Sequence, residues 1–202
     1  SDMRIIEDLP TAYLDENAGL LKSADAIVCD ACLPIDLLDH LVSEAAKNTP
    51  VLIDPVSTAY AWQMEPIAGK FYAMKPNVME LSILSGLPTE TETQIEQACE
   101  ALLTRGVVRI AVSRGEKGCY YADAEGNRLF RSLRPVLQMV NATGAGDAFL
   151  AGFTHALVDG LPVEEMLDYA LASGITAIQS MTTINPDMSD ARVKENITRY
   201  RL

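Results

Sequence analysis

Residues 26–54 read AIVCDACLPIDLLDHLVSEAAKNTPVLID, two short apolar runs on either side of an amphipathic stretch. The outer runs, Ala26–Asp30 (AIVCD) and Val51–Asp54 (VLID), lack the alternation of a half-exposed strand and read as strands covered on both faces. Between them, Pro34–Lys47 places Pro in a first-turn position and repeats Leu37, Leu38, Leu41, Val42 and Ala45 at helical spacing. Strand, helix and strand in that order form a crossover unit, and a crossover implies a parallel sheet with helices on its faces.

The same rhythm extends outward. Val107–Ser113 (VVRIAVS) is another nearly continuous apolar run, and Phe71–Met74 (FYAM) reads as a shorter strand. Helices are expected over Thr11–Ala24, carrying Tyr13, Leu14, Leu20 and Leu21, over Asn77–Leu84, and over Thr91–Thr104 with Gly106 as C-cap. After Ser113 the pattern changes: Gly118–Asp123 and Arg128–Leu133 flank Ala124-Glu125-Gly126-Asn127 as an antiparallel hairpin. Ala145–Val158, Val163–Ile178 and Asp190–Tyr200 are helical. With no repeat, low-complexity tract or linker, the reading is one α/β domain, a three-layer sandwich around a mostly parallel sheet. Ser1-Asp2 offers no start signal, so an N-terminal portion is expected to be missing.

Composition narrows the function. Lys+Arg 16 against Asp+Glu 28 gives a net charge of −12, which repels phosphate backbones and anionic membranes. Nucleic acid and membrane are therefore excluded as partners. No apolar run reaches the roughly 18 residues of a membrane helix and no export signal precedes the chain, so a cytoplasmic location is expected. The hydrophobic fraction of 49% is enough to fill a sizeable core. Four cysteines, Cys29, Cys32, Cys99 and Cys119, do not make a disulfide framework. Zinc at Cys29-x-x-Cys32 would want a second pair or histidines, and His40 and His155 stand in ordinary helical segments. The reading preferred is a buried strand end with Cys29 turned inward.

Three strings carry chemistry. In Asn141-Ala142-Thr143-Gly144-Ala145-Gly146-Asp147-Ala148-Phe149, two glycines allow a tight turn into a helix whose first amides form an anion site. A carboxylate inside such a cradle would repel a resting phosphate. Asp147 makes sense there as a base that takes a proton from an attacking hydroxyl. The alternative is a plain turn starting a helix. A P-loop string is absent, and Phe149 stands where a dinucleotide fingerprint needs its third Gly. In Lys75-Pro76-Asn77-Val78-Met79-Glu80, the amide of Asn77 and the carboxylate of Glu80 share the first turn of a helix. They form either a support for hydrated magnesium or a capping pair. In Ser113-Arg114-Gly115-Glu116-Lys117-Gly118, the glycines permit close backbone contact with a nucleotide, or merely turn into the hairpin. All three strings fall at strand ends or helix starts, where open α/β sheets gather ligands.

Taken together, Lys75-Pro76-Asn77…Glu80, Ser113-x-Gly115-x-x-Gly118 and Thr143-Gly144-Ala145-Gly146-Asp147 resemble the ribokinase-like family of carbohydrate and nucleoside kinases, in order and spacing. The resemblance implies a ribokinase-like fold, ATP and Mg2+ as cofactors, Asp147 as catalytic base, and Gly144, Ala145 and Gly146 as donors to the transferring phosphate. It assigns Asn77 and Glu80 to magnesium through water. Ser113, Gly115, Gly118 and Thr143 fall to the nucleotide, and Leu171, Ser173 and Gly174 lie along the adenine. Val51-Leu52-Ile53-Asp54-Pro55-Val56-Ser57 and Asn185-Pro186-Asp187-Met188-Ser189 are most similar to the pseudouridine kinase branch, which implies phosphorylation of the 5′-hydroxyl of pseudouridine. Ribose, fructose or another nucleoside is the alternative acceptor, and a nucleotide-binding fragment without turnover is the alternative role. Asn141 replaces the family's usual Asp, which leaves monovalent-cation dependence open. The family's N-terminal third has no counterpart, so residues 1–202 correspond to its C-terminal nucleotide-binding and catalytic portion. Loss of sheet strands would uncover an apolar edge or face, so the chain is expected to form a homo-oligomer or be unstable.

Overall fold

The computed structural model describes residues 4–134 and 140–201. The chain divides into two compact units, Ser1–Val112 with Tyr121–Arg128, and Ser113–Tyr120 with Leu129–Leu202. Six strands follow one another across the sheet in chain order: β1 (Ile27–Asp30), β2 (Val51–Asp54), β3 (Ala73–Met74), β4 (Arg109–Ser113), β5 (Cys119–Asp123) and β6 (Arg128–Arg131). The first four are parallel, with Ile27 opposite Val51, Leu52 opposite Ala73, and Ala73 opposite Arg109. Adjacent strands joined by a four-residue turn, as β5 and β6 are, can only run antiparallel. The sheet is thus mostly parallel, as the apolar runs imply.

In the first unit the strands alternate with helices α1 (Arg4–Glu7), α2 (Ala12–Glu16), α3 (Ala18–Ser23), α4 (Ile35–His40), α5 (Thr58–Met64), α6 (Val78–Ser85) and α7 (Glu92–Thr104). All four residues of β2 are buried, as a continuous apolar run requires. Leu52, Ile53, Ala73, Met74 and Ile110 belong to the sheet's core, and Leu37, Leu38, Leu81, Leu84, Ala98 and Leu102 are among the buried residues of the helices.

Several boundaries differ from the sequence reading, each for a local reason. The single helix expected over Thr11–Ala24 is two, because the Asn17 side chain donates to the Tyr13 carbonyl at 2.8 Å and competes with the backbone. Neither half buries a residue, so no packing overrides that preference. Pro34 is the N-cap of α4 rather than its first turn, and the helix loosens into a π turn over Leu41–Ala45, closed by the Ala46 amide on the Leu41 carbonyl at 2.8 Å. Arg105 caps α7, with Gly106 one residue beyond at φ +116°. β1 is covered on one face only, since Val28 is 51% exposed while Cys29 is partly buried, and it lies at the sheet's edge. α5 has a Ser57 cap accepting from Tyr60 N at 3.3 Å and follows Val56, whose φ of +63° is strained for a β-branched residue.

The second unit holds α8 (Ala145–Val158), α9 (Val163–Ile178) and α10 (Asp190–Tyr200). α9 packs along both others. The α8–α9 contact is close enough that a Cβ on Gly152 would stand 2.3 Å from the Ser173 hydroxyl. Arg131 on β6 grips the buried Asp168 of α9 through two bonds of 2.6 Å.

Candidate active site

The turn into α8 is built by its neighbours. Asn141 Oδ1 accepts from Thr143 N at 3.0 Å, bending the chain toward Gly144. Gly144 is the N-cap with φ +83°, and a Cβ there would stand 2.6 Å from the Thr183 carbonyl oxygen. Left-handed backbone and lack of space both require glycine here. The amides of Ala145, Gly146 and Asp147 thus open a 14-residue helix at the positive end of its dipole, with Ala145 N donating back to the Ala142 carbonyl at 3.4 Å.

Asp147 is the third residue of α8 and is exposed. It lines a cavity of about 390 Å3 together with Gly144, Ala148, Gly152 and Ser173. His155, Tyr169 and Asp190 also line it. Tyr169 donates to Asp190 Oδ1 at 2.9 Å, and its ring centroid lies 4.9 Å from that of His155. Burial, then the bond to Asp190, pushes the Tyr169 hydroxyl up to about 12. Bonds from Lys194 and Tyr169 hold the Asp190 carboxyl below its ordinary range.

The other predicted residues are placed as follows. Ser173 is buried, with Oγ bonded to the Tyr169 carbonyl at 2.8 Å, whereas Leu171 and Gly174 are half-buried. Thr143 is exposed beside the turn. Ser113 ends β4, Gly115 has φ +61° with open space around it, and a Cβ on Gly118 would stand 2.1 Å from the Arg131 carbonyl oxygen. Packing against Arg131 and Ser132 thus requires glycine at Gly118, whereas Gly115 has room around it. Gly144, Asp147 and Ser173 share one cavity; Leu171, Gly174, Ser113, Gly115 and Gly118 are not among the residues lining it.

In the first unit, Asn77 and Glu80 form a complete capping box at the start of α6. Asn77 Oδ1 accepts from Met79 N and Glu80 N at 2.9 Å each, and Asn77 N donates to Glu80 Oε2 at 2.8 Å. Glu80 Oε1 lies outside the box. Burial raises the Glu80 carboxyl above its ordinary value, against the Asn77 bond and the Lys75 charge. Lys75 Nζ meets Asp54 Oδ2 at 3.0 Å, both residues being buried. Among the described residues no group of three His, Cys, Asp or Glu is placed to hold a metal directly. With Asn77 Oδ1 and Glu80 Oε2 taken up by the cap, Glu80 Oε1 is the carboxylate oxygen of the pair left to face a water on a hydrated ion. Burial, then the Asp30 charge, pushes the Cys29 thiol up to about 12, far from the thiolate that disulfide exchange needs.

Two features escape the sequence reading. His155, Tyr169 and Asp190 come together only through helix packing, although Asp147 and His155 lie eight apart on one stripe of α8. The Lys75–Asp54 pair joins the ends of two strands far apart in sequence, marked only by charges that close apolar runs.

A family model described as pfkB family carbohydrate kinase matches residues 5–191. The chain is 30% identical over 194 residues to pseudouridine kinase of Escherichia coli and 32% identical over 197 residues to ribokinase of Arabidopsis thaliana, in each case over 96% of its own length. It spans 61% and 51% of those two relatives. Among solved structures, Arabidopsis thaliana ribokinase complexed with ribose and ATP superposes with a TM-score of 0.78 at 29% identity, over 91% of this chain and 59% of that one.

Proposed function

The chain belongs to the pfkB family of carbohydrate kinases, and from that premise we propose that it carries the nucleotide-binding and catalytic portion of an enzyme moving the γ-phosphoryl group of ATP to a hydroxyl of a sugar or nucleoside. The acceptor put first is the 5′-hydroxyl of pseudouridine, supported by the likeness to pseudouridine kinase. Ribose, fructose or another nucleoside is the alternative, supported by the likeness to ribokinase.

One observation carries the reading: an exposed carboxylate in the first turn of a helix, lining a cavity that the glycine of that turn also lines. Asp147 takes the proton of the acceptor hydroxyl while its oxygen attacks the γ-phosphorus. The bond to the bridging oxygen breaks and ADP leaves with the electron pair. The amides opened by Gly144, at Ala145 and Gly146, receive the charge that spreads over the phosphoryl oxygens. Magnesium, held through water by Glu80 and Asn77, would supply charge neutralisation at the phosphates. Ser113, Gly115, Gly118, Thr143, Leu171, Ser173 and Gly174 are assigned to the nucleotide. Asn141 brings no negative charge to the turn, which weighs against a requirement for a monovalent cation. Among the described residues β1 is an edge strand, which supports self-association, and use of ATP is in keeping with a cytoplasmic location.

A coupled assay of ADP release with MgATP and pseudouridine, ribose or fructose tests the reading. Asp147→Asn is expected to lower kcat by about 10²–10⁴-fold, the usual share of a general base, with ATP binding retained. A variant as fast as the wild type overturns the assignment. A second reading is a nucleotide-binding chain without turnover. ATP binding by calorimetry without ADP release on any acceptor supports that reading instead.

A further inference from the structure

The last turn of α9 exposes carbonyls that no further helical turn can satisfy. They are used to fasten the two segments around Gly144. The Ile178 carbonyl accepts from Val140 N at 2.9 Å and Asn141 N at 3.3 Å, holding the chain that leads into the turn. The Thr176 carbonyl accepts from Asn185 Nδ2 at 2.7 Å, holding residues 180–185. That loop carries the Thr183 carbonyl against Gly144, and its Met181 carbonyl accepts from Asn141 Nδ2 at 3.5 Å. Asn185 is buried and uses both ends of its amide, since Oδ1 accepts from Asp187 N at 2.9 Å.

We propose that Asn185 is a positioning residue for the Gly144–Asp147 turn, acting through the loop it fastens to α9. This rests on the reading of that turn as the element that receives the phosphoryl charge. Removing the donor leaves the Thr176 carbonyl without it and lets Thr183 leave Gly144, so the turn gains room it does not have now. The amides of residues 145–147 then meet the transferring group out of line, where small displacements are costly.

Asn196 supplies the control. It is buried in the same network, donating to Thr176 Oγ1 at 2.8 Å, and makes no bond to the loop. The test compares Asn185→Ala, Asn185→Asp and Asn196→Ala by hydrogen exchange over residues 140–149 and by kcat and KM for ATP. Asn185→Asp keeps the acceptor for Asp187 but loses the donor to Thr176, so it is expected to behave as Asn185→Ala does. Both should exchange roughly 10-fold faster over 140–149, as expected for a segment released by local opening. Both should lose kcat by about 10–100-fold with KM for ATP within about twofold, the pattern of a misplaced catalytic element. Asn196→Ala should lower Tm and change neither. Wild-type exchange in both Asn185 variants, rescue by Asn185→Asp, or an equal loss of kcat in Asn196→Ala overturns the proposal. Absence of turnover in the wild type would defeat the kinase reading, while the exchange comparison still decides the clamp.

Discussion

Gly152 meets Ser173 with no room for a methyl group, since an added Cβ would lie 2.3 Å from the hydroxyl and 2.7 Å from the Ser173 Cβ. Gly152→Ala should therefore lower stability by about 1–3 kcal/mol, the usual cost of overpacking a tight helix contact. Ser173→Gly in the same chain should return part of the loss. Thermal unfolding of the single and double variants checks this, and independent, additive effects would refute it. Small residues at this crossing are readable as a stripe of Ala and Gly in α8, but nothing local says which of them faces α9. Val56 is the opposite case, a side chain kept where glycine would be easier, with its N–H held by Asp54 Oδ1 at 2.9 Å. The same Asp54 pairs with Lys75, so one buried carboxylate fixes both a strained turn and a buried cation.

The hairpin β5–β6 turns around Asp123, which is fully buried and accepts from the backbone of Glu125 and Asn127 and from the side chains of Asn127 and Tyr121. Burial alone would raise its carboxyl. The bonds from Asn127 and Tyr121 and the Arg109 charge more than offset that, so it lies below the ordinary range. A depressed carboxyl contributes stability that is present above its unfolded value, near pH ~3.9, and is lost as pH falls through the folded value. Asp123→Asn should therefore be less stable at neutral pH and lose less on acidification than the wild type. Denaturant melts at neutral pH and at about pH 3 check the sign, and parallel losses in both proteins refute it. This hairpin was legible because Ala124-Glu125-Gly126-Asn127 is turn chemistry between apolar runs. The helix over Thr11–Ala24 was not, because apolar spacing predicts burial and Tyr13 and Leu20 have nothing to bury against, being 51% and 70% exposed. At the candidate site, the sequence was enough to place Asn77 with Glu80 and Gly144 with Asp147, which are neighbours in the chain. The cavity's far end and the loop over Gly144 depend on helix packing and leave no local trace.

A net charge of −12 on 202 residues means that folding draws like charges together. Raising salt from about 0.01 to about 1 M shortens electrostatic reach from ~30 to ~3 Å. Tm should rise by about 2–4 °C, equivalent to roughly 1 kcal/mol for a chain of this size. A fall in Tm measured by calorimetry would mean that ion pairs such as Arg131–Asp168 outweigh the repulsion. The parallel sheet was readable because its strands are continuous apolar runs, and helices of period 3.6 separate them. The division into two units was not, since its boundaries fall inside β4, β5 and β6, where no linker marks them. The chain passes from one unit to the other at residues 112, 120 and 128, so each is stitched from separated stretches of gene. No single cut delivers either one whole; only a rewired gene, with the excursion 121–128 respliced to its own half, could produce them apart.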